Sequence, residues 1–293
     1  MTSEATKSNG NNPETKIVAP ATKRVRASGP ILFLAILFVV ASFLAWYFTW
    51  FGRDLSDADI TKYLVDVSHP RHVQHGLLQI EQRIERGDKG AKQWYPQIIA
   101  LADNKETEFR LTVAWLMGAD NTAEEFHVAL KKLLVDPEPI VRRNAALALV
   151  RFNDNSGRRE LLSMLEPFTV TAPAAGALQS SLHSGAQVSR GTLLARIEET
   201  NQQVVELRSP LLGVVADLLI QNGANVTPGA AVLTIKADEQ SIWEALRGLA
   251  VIGEQEDLAL VERYASGTDV SDRIKQQAAL TAKAIKARSD QKK

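Results

Sequence analysis

Apolar residues are densest near the N-terminus, where residues 31–51 read ILFLAILFVVASFLAWYFTWF, 21 positions without a charge. As a helix that run rises about 31 Å, against a hydrocarbon core of about 30 Å, so it predicts a bilayer-spanning helix over residues 30–52. Residues 1–29 are rich in Thr, Ser, Asn, Lys and Pro. They hold too few large apolar groups to offset the entropy of ordering and read as a disordered tail. Past the apolar run the spacing is helical. Val141, Ala145, Leu149 and Phe152 form one stripe, with Asp136 as a cap and Pro137 and Pro139 in the opening turn. From 168 to 237 the period shortens to alternating runs such as Val214, Ala216, Leu218 and Ile220, broken by glycines suited to tight turns. Helical spacing returns over 238–288, and 289–293 reads as a second disordered tail.

The β-patterned segment is duplicated. Pro173 and Gly176 recur 37 residues on as Pro210 and Gly213, while Gly185, Val188, Gly191 and Ile197 recur 38 residues on as Gly223, Val226, Gly229 and Ile235. On these paired spacings, residues 168–237 resemble the biotinyl/lipoyl-like fold, the barrel-sandwich hybrid. The resemblance implies a small flattened β barrel of hairpins with structural turns at Pro173, Gly176, Gly191, Pro210, Gly213 and Gly229. Enzyme members carry biotin or lipoate on a lysine at the tip between the halves. Here that tip is Glu198, Glu199, Thr200, Asn201, Gln202 and Gln203, and no lysine lies between Lys132 and Lys236. Attachment of the cofactor through an amide needs a primary amine, so no cofactor is expected and the module reads as a structural or docking element. Periplasmic adaptors, or membrane fusion proteins, split the same halves with a long helical hairpin. The linker from Ile197 to Leu207 is too short for one, and VVEL reads as a returning strand. A shorter, divergent adaptor remains open.

The helical segments also repeat. Phe109, Arg110, Ala114 and Met117 are matched 32 residues later by Val141, Arg142, Ala146 and Leu149. Asp269, Ile274, Lys275, Ala278, Ala279 and Leu280 repeat Asp136, Val141, Arg142, Ala145, Ala146 and Leu147 at an offset of 133. A further helix pair fits Trp243 to Tyr264. This text resembles HEAT-type repeats of the short variety D-x-x-x-x-V-R-x-x-A-A-x-A-L. The resemblance implies stacked helix pairs, each burying its apolar face on its neighbours. Residues 58–100 match least well, although Leu77, Leu78, Ile80 and Ile84 suggest a buried face. That first unit is either a repeat or a cap.

Charge and composition narrow the rest. The 293 residues carry zero formal net charge, which argues against a dedicated nucleic-acid binder, and the absence of cysteine excludes disulfides and thiolate chemistry. Lys7, Lys16, Lys23, Arg24 and Arg26 precede the apolar run, and Arg53, Asp54, Asp57 and Asp59 follow it. The positive-inside rule then puts the tail in the cytoplasm and the bulk of the chain outside. A cleaved signal peptide is the weaker reading, since the run exceeds the usual length and Trp46, Tyr47 and Trp50 follow rather than a small-residue cleavage site.

Candidate chemistry is sparse. His69, His72 and His75 crowd into SHPRHVQHG, but no nearby Cys, Asp or Glu completes a set at ligand spacing, so a solvated helix start is favoured and no metal is expected. Adjacent Glu198 and Glu199 would point to opposite faces of a strand and read as solvated. No phosphate loop, G-x-S-x-G or H-E-x-x-H occurs. Arg142 reads first as a repeat residue bridging to a neighbouring acid.

The sequence thus predicts an α+β chain. An apolar anchor leads to HEAT-like helices over 53–167, a biotinyl/lipoyl-like barrel over 168–237 and HEAT-like helices over 238–288. Its expected role is that of a non-catalytic, single-pass adaptor or scaffold of the inner (plasma) membrane in a bacterial envelope. The candidate partner-binding residues are Glu198, Glu199, Asn201, Gln202, Arg142 and Arg143. The expected partners are the membrane and other envelope or transporter proteins, with no nucleic acid and the oligomeric state left open. The alternative is a divergent periplasmic adaptor subunit of an efflux or secretion system.

Overall fold

A computed structural model describes residues 29–50 and 54–291, with side chains from 29–47 and 54–291. The tail expected over 1–29 lies outside the described residues except for Gly29, which opens the first helix, and residues 51–53 and 292–293 lie outside them too. Two units result, residues 1–54 and 55–293. In the first, α1 (Gly29–Trp50) forms because the run is free of charge and of interior proline. It is long and apolar enough to cross a membrane, and none of Gly29–Tyr47 is buried.

The second unit begins with α2 (Asp57–Val65), α3 (Pro70–Glu85), α4 (Tyr95–Leu101), α5 (Thr107–Met117), α6 (Glu124–Leu133), α7 (Pro139–Arg151) and α8 (Arg158–Ser163). Local signals set the ends. The Ser56 hydroxyl accepts the Asp59 N–H at 3.1 Å, and Pro70 and Pro139 open their helices, where the missing N–H costs nothing. After the β segment come α9 (Glu239–Ile252), α10 (Leu258–Ser266) and α11 (Asp272–Gln291). The last helix continues to Gln291, which corrects the expected tail over 289–293 for all but its final two residues. Arg288, in the last turn of α11, donates to backbone carbonyls of Leu249, Ala250 and Gly253 and so fastens that end down.

The helices stack in a row. α3 packs on α5, α5 on α7, α7 on α9 and α9 on α11, while α4 and α6 flank α5 and α7. One apolar core runs from Leu55 to Leu149. A second joins Ala146, Leu161 and Leu165 to Ile242, Leu246, Ile274 and Ile285, so the row continues across the β segment. The 32-residue offset reappears in the backbone. Arg110 donates to the carbonyls of Asn104 and Lys105, and Arg142 to those of Asp136 and Pro137. The Asn104 and Asp136 side chains each accept the N–H two residues on, both at 2.9 Å. Ala146 is buried at 0% exposure, whereas its counterpart Ala279 and the neighbouring Leu280 face solvent, because among the described residues no helix stacks beyond α11. Leu78 is exposed as well, so the apolar face of α3 is Leu77 and Ile80 with Ile84 at its edge.

Eight strands fill residues 168–237: β1 (Phe168–Thr171), β2 (Gly176–Gln179), β3 (Gln187–Val188), β4 (Leu193–Glu198), β5 (Val204–Arg208), β6 (Gly213–Leu218), β7 (Asn225–Val226) and β8 (Ala231–Ala237). They form two four-stranded antiparallel sheets, ordered β1-β8-β6-β3 and β5-β4-β2-β7. Exchanging the first half of the strands for the second turns one order into the other, so the duplication in sequence becomes a pseudo-twofold in space. The turns repeat with it. Gly191 donates to the Ser209 carbonyl at 2.7 Å and Gly229 to that of Ala172 at 2.8 Å, while Gly185 and Gly223 donate to Val215 and Leu178. The alternation read through Val214, Ala216, Leu218 and Ile220 is one residue out of frame: Val215 is the fully buried position. Adjacent valines hid the frame, and a bulge between Val215 and Leu218 breaks the alternation where it would have been read.

Candidate partner-binding surfaces

The tip between the β halves is a short, exposed hairpin. Glu199 and Gln203 pair through the Glu199 N–H at 2.9 Å, the Gln202 N–H returns to the Glu199 carbonyl at 2.9 Å, and the Asn201 side chain accepts the Gln203 N–H at 2.9 Å. Gln202 holds φ at 65°, a conformation that favours glycine. The Glu198 carboxylate accepts from Gln179 at 3.1 Å. Glu198, Asn201 and Gln202 thus remain open to solvent, and Glu199 is half-buried. The paired turns behave as the duplication implies. A Cβ at Gly176 would strike the Glu198 carbonyl and one at Gly213 the Lys236 carbonyl, while Gly191 and Gly229 both stand at φ 82°. Pro173 is exposed and Pro210 half-buried beside them.

The repeat arginines are committed inside the fold. Arg142 donates to Glu160 at 3.2 Å as well as to its own turn, and Arg110 grips Asp136 at 2.7 and 3.0 Å. Arg143 is only 4% exposed, with Glu160 at 4.0 Å, and burial pushes its pKa below the usual guanidinium range. It therefore drops out of the candidate surface. Arg158 joins α8 to the turn before α10 through Asp257, Glu256 and Glu254.

A surface that the sequence did not single out lies along α5, α7 and α9. It is a groove of about 340 Å³ lined by Trp115, Leu147, Ala148, Val150 and Trp243 among others. Arg151 sits over the Trp115 ring at 5.5 Å, and Arg247 and Arg273 over that of Trp243 at 4.7 and 4.5 Å. Trp115 also donates to Glu81 at 3.0 Å, and burial raises the pKa of that carboxyl despite the bond. Trp115 is 44% exposed and Val251, on the rim, 45%. Only Arg247, four residues after Trp243, was visible as a sequence neighbour; the other pairings arise from helix stacking.

The three histidines separate. His69 and His72 converge on Asp66, in the turn between α2 and α3, whereas His75 turns to Gln79. The expectation that no carboxylate completes a set is thereby corrected.

The chain is a mixed helical and antiparallel-sheet protein with an apolar N-terminal helix. No family model matches it, and no curated protein does. Among solved structures, the crystal structure of an engineered protein aligns over 78% of each chain at 12% identity, with a TM-score of 0.42.

Proposed function

We propose that this chain is a non-catalytic, membrane-anchored adaptor or scaffold of the cell envelope. α1 serves as its anchor, a HEAT-like helical array as its body, and a lysine-free biotinyl/lipoyl-like module as an appendage. The 32-residue recurrence of the arginine-to-turn hydrogen bonds supports the array, and the exchanged strand order of the two β halves supports the module. The groove between Trp115 and Trp243 is the observation that carries the role. Exposed Trp115 and half-buried Trp243, each under arginine and beside the apolar side chains of Leu147, Ala148 and Val150, suit an extended partner segment bearing aromatic or acidic side chains. The exposed tip at Glu198, Asn201 and Gln202 offers a second, more polar contact.

The test is site-specific photo-crosslinking in native membranes. A cross-linker at Val251, on the groove rim, is expected to trap one defined envelope protein, and Arg247→Glu with Arg273→Glu is expected to abolish the adduct. Adducts no stronger than those from exposed Val135 on another face would remove the groove from consideration. The pseudo-twofold β module supports a second reading, a divergent periplasmic adaptor of an efflux or secretion system. An exporter subunit as the trapped partner would favour it.

A further inference from the structure

We propose that Asp66, His69 and His72 form a binding site for a divalent transition-metal ion of the zinc class. The site is independent of the adaptor reading. The His69 Nδ1 lies 2.8 Å from Asp66 Oδ1 and the His72 Nδ1 lies 2.9 Å from Asp66 Oδ2, and all three ligand atoms fall within 4.8 Å of one another. Tetrahedral zinc with bonds of about 2.0–2.1 Å places its ligand atoms about 3.3 Å apart, so small rotations of the side chains admit an ion at the centre. Two imidazoles and one carboxylate are the donor set this class of metal takes.

The surroundings hold the set in place. Pro70 starts α3 immediately after His69, so His69 and His72 stand one turn apart at the helix start while Asp66 closes the preceding turn. Tyr63 stacks on the His72 ring at 4.5 Å with the planes 14° apart, and His69 and His72 stack on each other at 5.2 Å. The Ser68 hydroxyl lies 2.8 Å from Asp66 Oδ1 and 3.1 Å from His69 Nδ1, fixing both from the side. Outer partners of this kind orient metal ligands. The side chains of His69 and His72 are 66% and 44% exposed, so the remaining coordination positions open to water. Ligation through Nδ1 requires each ring in the tautomer that carries its proton on Nε2, with Asp66 ionised.

The experiment titrates the full-length chain in detergent micelles with Zn²⁺ against a chromogenic chelator, and repeats the titration with Co²⁺ to read its visible spectrum. One equivalent is expected, with the absorption of a histidine and carboxylate site. His69→Ala, His72→Ala and Asp66→Asn are each expected to weaken binding by about 100-fold or more, whereas His75→Ala and His127→Ala leave it intact. Circular dichroism checks the fold of each variant, and His69→Gln with His72→Gln serves if an alanine variant does not fold. No uptake by the wild-type chain overturns the proposal. So does uptake that survives loss of both histidines, or that falls with His75 or His127 instead, since the ion would then be adventitious or held elsewhere.

Discussion

Arg158 of α8 holds Asp257, 99 residues later in the chain, through hydrogen bonds of 2.8 and 2.6 Å. The Asp257 side chain is 2% exposed and that of Arg158 19%. The pair closes the helical row over the β segment, and the Asp257 carboxylate raises the guanidinium pKa further above its usual range. Arg158→Ala leaves a buried carboxylate short of its partner. We expect a loss of about 3 kcal/mol, read from urea unfolding, with Asp257→Ala costing a similar amount and the double variant less than the sum.

Phe168 faces Ile235 in the β1–β8 ladder, so the chain leaves the helical row and returns to it at neighbouring points. The β segment has its own apolar core, separate from the two helical cores except through Ala237. Arg190 and Glu108 form an exposed ion pair between the two regions, a contact worth about 0–1 kcal/mol. Replacing residues 168–237 with about four glycines should therefore leave a cooperatively unfolding helical protein, as judged by far-ultraviolet circular dichroism during thermal melting.

Gly176 and Gly213 are equivalent by the duplication and face equivalent obstacles. Alanine at either forces a methyl into a backbone carbonyl, which cannot yield as a flexible side chain does. Each change should cost about 1–3 kcal/mol, and the two losses should be alike. At Gly191 and Gly229 the space is open and only the positive φ objects, so alanine there should cost about 1–2 kcal/mol. Hydrogen exchange across β2, β6 and β8 ranks the four variants.

Asp154 predicts a pH dependence of stability. Burial raises its pKa, but hydrogen bonds from Lys131, Ser156 and His127 outweigh this and hold the carboxyl far below the usual range. A carboxyl depressed in the folded state contributes stability that is complete above its unfolded value of about 3.9 and is lost as the pH falls towards the folded one. The urea midpoint should decline below about pH 4, and Asp154→Asn should flatten that decline.

The parts of the fold that were legible are those whose signals are local. Pro139 and the stripe from Val141 to Leu149 lie within one helix, so α7 could be read directly, although Glu138 takes the N-cap position expected of Asp136, which instead accepts the Glu138 N–H from the preceding turn. The β halves were readable because tight turns need glycine whatever surrounds them, as Gly191 and Gly229 show. The groove was not legible, because Trp115, Leu147 and Trp243 come from three helices brought together by stacking. Arg143 looked like its neighbour Arg142 until packing buried it. Asp66 lies outside α3, at the end of α2, and only the turn between the two helices brings its carboxylate to both imidazoles.

The exchanged strand order has a consequence for assembly. Of the six strand pairings, only β2 with β4 and β6 with β8 join strands of the same half; the other four cross between halves. A liberated half would expose open ladder edges and could satisfy them only by finding a second copy, at a rate set by how crowded the solution is. Tethering both copies in one polypeptide makes that encounter unimolecular, so dilution cannot dissociate the module.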